Sequence, residues 1–309
     1  MQIFFLHDGR LRAGWRLLLF VVLYLLSLIL VRGLAPLVIG DPSGASRMTL
    51  IAAGSIASFL AAAAATLFMT GVVERQPMRS IGLQCGSGPE QGAGYEAGLG
   101  MAIAVTAVVS IAAVEHAAGL IRYEWTGARL IALLPGSAFG AVMILISSAS
   151  EELLFRGYPF QRLIEGIRVE WSLGIASALF GILHGSNPHS TPLAVVNTML
   201  AGILLSVCYL KTQRLWLAIG FHFAWNWSLV LVGLPVSGLD LGTMPWAAAP
   251  VSSRTWLYGG EYGPEGGLIA TLALLFAVVF VMMQRFSFPA SRRSAGPDQQ
   301  PGISPEASS

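Results

Sequence analysis

The chain has 309 residues, 55% of them hydrophobic and 11% charged, with a mean hydropathy of +0.69 and a formal net charge of +2. A soluble globular domain carries about 25% charged residues, so this composition excludes an ordinary soluble fold and describes a polytopic membrane protein whose first partner is a lipid bilayer. The small net charge, without a basic cluster interleaved with aromatics, argues against a nucleic-acid partner; Cys85 and Cys208 are isolated in the sequence, which argues against a disulfide framework or a thiolate metal site.

Crossing about 30 Å of hydrocarbon takes roughly 20 apolar residues. Eight windows qualify, near 15–38, 48–73, 96–121, 130–162, 171–187, 192–211, 215–234 and 267–285. The first follows Arg10, Arg12 and Arg16 in the manner of a signal peptide, but its apolar run from Leu17 to Val31 is too long and no A-x-A site follows it, so a retained span is expected. The fourth window is long and polar at its end, and the fifth is short and begins at Trp171. Between the last two, residues 235–266 form a Gly-, Pro- and Trp-rich connection expected to rest partly on the membrane surface. Residues 287–309 are polar and are expected to form a disordered cytoplasmic tail, which leaves 1–286 as one transmembrane helical domain without internal repeats.

Lys and Arg near span ends favour the cytoplasm. Alternating sides along the windows gathers Arg10, Arg12, Arg16, Arg75, Arg79, Arg156, Arg162, Arg168, Lys211, Arg214, Arg285, Arg292 and Arg293 on one face, against Arg32, Arg47, Arg122, Arg129 and Arg254 on the other. The expected fold is all-α, with about eight transmembrane helices and both termini cytoplasmic.

A carboxylate at the bilayer centre costs at least about 2.5 to 3.5 kcal/mol, so ionisable groups inside spans face a protein interior and mark function. Three such places occur: Glu151, Glu152 and Arg156 in SSASEELLFRGYPFQRL, His184 in LFGILHGSN, and His222 with Asn226 in LWLAIGFHFAWNWS. Residues four apart share a helix face. Glu152 can therefore pair with Arg156 while Glu151, turned by about 100°, points elsewhere. At a rise of about 1.5 Å per residue, Glu151, His184, His222 and Asn226 lie roughly 10 to 20 Å from the cytoplasmic ends of their spans and can meet in one layer of a water-filled cavity. A carboxylate beside an imidazole can activate water, and His with Asn can donate to a developing oxyanion. No serine or cysteine stands in a nucleophile setting, and H-E-x-x-H is absent. Glu115 and His116 read as interfacial, Asn187 and His189 as loop residues without a role, and Gly98, Gly100, Gly136 and Gly140 as sites of close helix packing.

The ordered motifs E-E-x-x-x-R at Glu151, Glu152 and Arg156, F-x-x-x-H at Phe180 and His184, and H-x-x-x-N at His222 and Asn226, with LAGILLSVCYLKTQRLW between them, resemble the CPBP family. That family comprises the CAAX prenyl endopeptidases and the bacteriocin-processing or self-immunity proteins. The resemblance covers 147–231 and implies an eight-helix intramembrane endopeptidase acting on a peptide or protein substrate, multi-pass in the cell (inner or plasma) membrane with its site facing the cytoplasm. It implies that Glu151 and His184 activate water, that His222 and Asn226 stabilise the oxyanion, and that Glu152 and Arg156 support them. A divalent metal is left open: Glu151, His184 and His222 would be the three ligands of a catalytic zinc with water as the fourth, whereas a glutamate-driven route needs no ion and suits the asparagine better. Lys211 is the single lysine, which points to a GC-rich bacterial genome, so a prenylated substrate is not implied. The rival readings are a proton- or ion-coupled transporter, disfavoured by polar residues confined to one half, and a catalytically silent immunity or scaffold protein.

Overall fold

Each apolar window holds a helix in the computed structural model, which describes residues 11–86, 92–241 and 244–286. The expected tail, 287–309, lies outside the described residues. The helices are α1 Ala13–Leu34, α2 Arg47–Leu67, α3 Ala93–Ala117, α4 Leu130–Phe155, α5 Tyr158–Gly166, α6 Val169–His184, α7 Pro192–Thr212, α8 Trp216–Leu231 and α9 Leu268–Met283. Five segments, at 13–39, 48–73, 93–117, 135–166 and 192–212, are long and apolar enough to cross a membrane. The chain is an all-α polytopic membrane protein. α6, α8 and α9 have 16 residues each, about 24 Å at 1.5 Å per residue, so the windows number more than the full-length spans.

Local chemistry sets the helix ends. Ser46 accepts from the Thr49 N–H at the start of α2, and Thr191 accepts from that of Ala194 at the start of α7, where Pro192 occupies the first turn. α4 stops at a glycine. A Cβ on Gly157 would stand 2.4 Å from the Leu153 carbonyl oxygen, and Pro159 in the next turn has no N–H to continue the ladder. The chain therefore turns into α5, which buries Tyr158, Phe160 and Gln161.

α3 lies along α8 at backbone contact. A Cβ on Gly100 would meet the Leu217 oxygen at 2.3 Å, and one on Gly220 would meet that of Ala97 at 2.2 Å, the small-residue packing that lets helices approach in a membrane. Of the other glycines read as packing sites, Gly98 and Gly136 face open space and Gly140 makes an ordinary contact with Trp227. α2 packs between α1 and α4, while α7 packs between α6 and α9.

Ion pairs gather the Arg-bearing helix ends on one face. Arg16 reaches Glu74 at 2.9 Å and Glu165 at 3.0 Å, and Arg162 reaches the same two carboxylates at 3.1 and 2.9 Å. Tyr158 donates to Glu74 at 2.6 Å, and Arg214 pairs with Glu96 at 2.9 Å. On the opposite face the connections are more ordered than a surface loop. β1 Ile121–Trp125 pairs antiparallel with β2 Trp246–Pro250, register Ile121 to Pro250. The chain turns back after α3, and this puts Glu115 in the interior, fully buried with neither carboxylate oxygen hydrogen-bonded, not at an interface. Cys85 is exposed, Cys208 is buried, and both are free thiols.

Candidate active site

Glu152 and Arg156, four residues apart at the end of α4, are both fully buried and joined at 3.1 Å. The guanidinium also donates to Ser206 Oγ at 3.3 Å and to the Gly202 carbonyl at 2.9 Å, two α7 groups one turn apart. Its Cζ lies 4.6 Å from the Phe180 ring centroid and 5.7 Å from that of Phe155, so the charge is held by acceptors at its edge and aromatic faces above it. This one side chain ties α4, α6 and α7 together.

The Glu152 oxygen that receives Arg156 also accepts from His222 Nδ1 at 2.8 Å. On α6, His184 Nδ1 lies 2.7 Å from the Phe180 carbonyl oxygen, which can only accept, so that nitrogen carries the proton. Both imidazoles thus spend Nδ1 on a fixed partner and turn Nε2 elsewhere. What they turn it toward is Glu151. Its Oε2 is 3.7 Å from His184 Nε2 and 3.8 Å from His222 Nε2, buried, and without a hydrogen-bond partner. Its Oε1 lies 3.5 Å from Ser147 Oγ. Glu151 and Glu152 are adjacent in sequence, yet one faces the histidines across the bundle and the other faces Arg156.

The layer is assembled from staggered helices. Counted along their helices from the Arg-rich face, Glu151 lies about 6 Å in, His222 about 9 Å, Asn226 about 15 Å and His184 about 22 Å. α6 therefore stands further toward the Arg-rich face than its partners, which widens the expected depth range without separating the groups.

Glu151, His184, His222 and Asn226 line one cavity of about 310 Å³. Asn226 sits one turn beyond His222 on α8. The cavity continues toward the face that carries β1 and β2, where Asn187, Ser237 and Glu265 complete its wall. Asn187, assigned no role from sequence, donates to the Ser237 carbonyl at 3.1 Å. Glu265 was not singled out from sequence because it lies in a connection without periodicity. It accepts from Trp225 Nε1 at 3.0 Å, from the Ser237 N–H at 2.5 Å and from Ser237 Oγ at 2.8 Å. The Arg156 anchors Gly202 and Ser206 were also missed, although their spacing of four within LAGILLSVCYL places them on one face.

Glu151 Oε2 stands 3.7 and 3.8 Å from the two Nε2 atoms; a carboxylate oxygen facing two imidazole nitrogens at that distance calls for a bridging water or a cation. A tetrahedral zinc with legs of about 2.0 to 2.1 Å would draw them to about 3.3 Å. The observed separations are wider, and no group of three His, Cys, Asp or Glu among the described residues is spaced to hold a metal ion. A water hydrogen-bonded at about 2.8 Å to tetrahedrally placed partners would set them about 4.5 Å apart. The observed separations thus lie between those of a zinc site and those of a bridging water, and a water held there is bonded at a closed angle of about 84°.

Residues 133–228 match the family model described as Type II CAAX prenyl endopeptidase Rce1-like. No curated protein and no solved structure matches the chain.

Proposed function

Because residues 133–228 belong to the CPBP/CAAX intramembrane protease family, a family of peptidases, we propose that this chain hydrolyses an amide bond of a peptide or protein segment by direct attack of water. Glu151 takes a proton from a water held between its Oε2 and the histidine Nε2 atoms. His184, oriented by the Phe180 carbonyl, shares that proton and passes it to the leaving amine. His222, carrying a proton on Nε2 as well as the one its Nδ1 donates to Glu152, and Asn226 donate to the developing oxyanion, with His222 held in place by Glu152 and Arg156. No step passes through a metal. The separations of 3.7 and 3.8 Å between one unpartnered carboxylate oxygen and two imidazoles carry this reading.

In the same reading the Arg-rich face is cytoplasmic, as the Lys and Arg count requires. The reacting layer then lies nearer that face, in a cell membrane crossed by eight helices, and the substrate is a segment that can enter the bilayer region.

Purified full-length protein in detergent micelles, given an internally quenched peptide library, tests the reading. Cleavage is expected, and Glu151→Gln is expected to lower it by about 10²- to 10⁴-fold, the range of a general base, with an unchanged melting temperature. Treatment with 1,10-phenanthroline is expected to leave the wild-type rate within twofold. A folded wild-type protein that cleaves nothing is a scaffold or transporter instead. Full activity in Glu151→Gln removes the proposed base, and loss on chelation that zinc restores replaces the metal-free route.

A further inference from the structure

The wall that carries Glu151 at one end carries a second carboxylate at the other. Among the described residues no Lys or Arg lines the cavity; beside the two imidazoles, its ionisable groups are Glu151 and Glu265. Glu265 forms no ion pair among the described residues. It is held by three neutral donors, one on Oε1 and two on Oε2, so of the roughly four lone-pair sites of a carboxylate, Oε1 keeps one. A rigidly held, half-buried negative charge at the edge of a largely apolar cavity is stabilised by a cation far more than it would be in water. The same charge repels a carboxylate.

Resting on the peptidase reading, we propose that Glu265 is a specificity residue that receives a cationic group of the substrate, a basic side chain or a free α-amino group, and disfavours a substrate whose terminal carboxylate would enter there. Trp225, which donates to Glu265, lies three residues beyond His222 on α8. A rise of about 4.5 Å plus the reach of an indole sets the carboxylate on the order of 10 Å from the His222 ring, roughly three residues of extended chain at about 3.3 Å each. The preferred substrate is then an apolar segment with a positive charge about three residues from the cut.

The test uses N-acetylated, C-amidated quenched peptides with one apolar core and either Lys or norleucine three residues from the cut, on either side. A second norleucine set with a free α-amine separates the two sources of charge. In the full-length wild type, kcat/KM is expected to be about tenfold higher for a cationic peptide, through KM. In Glu265→Gln that ratio is expected to fall to about one. Ser237→Ala removes a donor but keeps the charge, and should retain the ratio. Binding is read separately by fluorescence anisotropy in the Glu151→Gln protein, where the cationic peptide should bind about tenfold tighter than the neutral one and lose that advantage on adding Glu265→Gln. Equal binding of the two peptides, or a preference that survives Glu265→Gln, overturns the proposal. So does an equal loss in Glu265→Gln and Ser237→Ala without dependence on peptide charge, which would make Glu265 a structural pin. If the wild type cleaves no peptide, the peptidase reading fails while anisotropy still decides the cation site.

Discussion

Replacing Arg156 by methionine removes a fully buried cation and leaves Glu152, also fully buried, with His222 as its remaining charged or polar partner. Breaking a buried pair from one side costs about 3 to 5 kcal/mol, most of it the penalty of the orphaned charge. The α7 acceptors add little, because Ser206 Oγ already donates to the Gly202 carbonyl at 2.8 Å and stays satisfied. Glu152→Gln alone strands the guanidinium and should cost a similar amount. The double variant, Glu152→Gln with Arg156→Met, buries no charge, and the glutamine oxygen still accepts from His222 Nδ1. Its loss is expected to be about 1 to 3 kcal/mol, a coupling of at least about 3 kcal/mol between the two sites. Reversible unfolding in mixed detergent and SDS micelles, followed by tryptophan fluorescence, measures all four corners of the cycle. Additive single losses, or a cost below about 1 kcal/mol for Arg156→Met, would show that water or a neighbouring group screens the pair and that the dry anchor described above is wrong.

Asn226→Ala is expected to lower kcat by about 10²- to 10³-fold with KM nearly constant, as removal of an oxyanion donor does; steady-state kinetics on the best peptide decides it, and a change in KM alone would move Asn226 to substrate binding. Gly220→Ala forces a Cβ to within 2.2 Å of the Ala97 oxygen. The crossing of α3 and α8 should open at a cost of about 1 to 3 kcal/mol, lowering the melting temperature and, because His222 is two residues away, the rate as well.

What the sequence made legible divides by the range of the interaction. The Glu152 and Arg156 pair follows from a spacing of four on one helix, and so does the divergence of Glu151 from Glu152. The approach of Glu151 to His184 and His222 joins three helices, and no local pattern contains it; the ordered motifs brought it within reach. Glu115 was misplaced because hydropathy reports distance from a span's centre, not the fold of the chain that follows. That fold had a signal, since Ile121-Arg-Tyr-Glu-Trp alternates apolar and charged residues with a strand's period. Glu265 had none. A single acidic residue among Gly and Pro in a connection acquires meaning only through Trp225 and Ser237, 40 and 28 positions away.

The cluster of Arg16, Glu74, Arg162 and Glu165 binds the opening helix to α5, and α5 follows directly from the end of α4 where Glu151 stands. In the proposed mechanism the N-terminal third, which supplies none of the proposed reacting groups, is therefore a brace for the proposed base. Natural variation that loosens this brace would be felt as altered turnover before any side chain in the pocket had changed, and shortened chains lacking the first helix would lose alignment even with every motif intact.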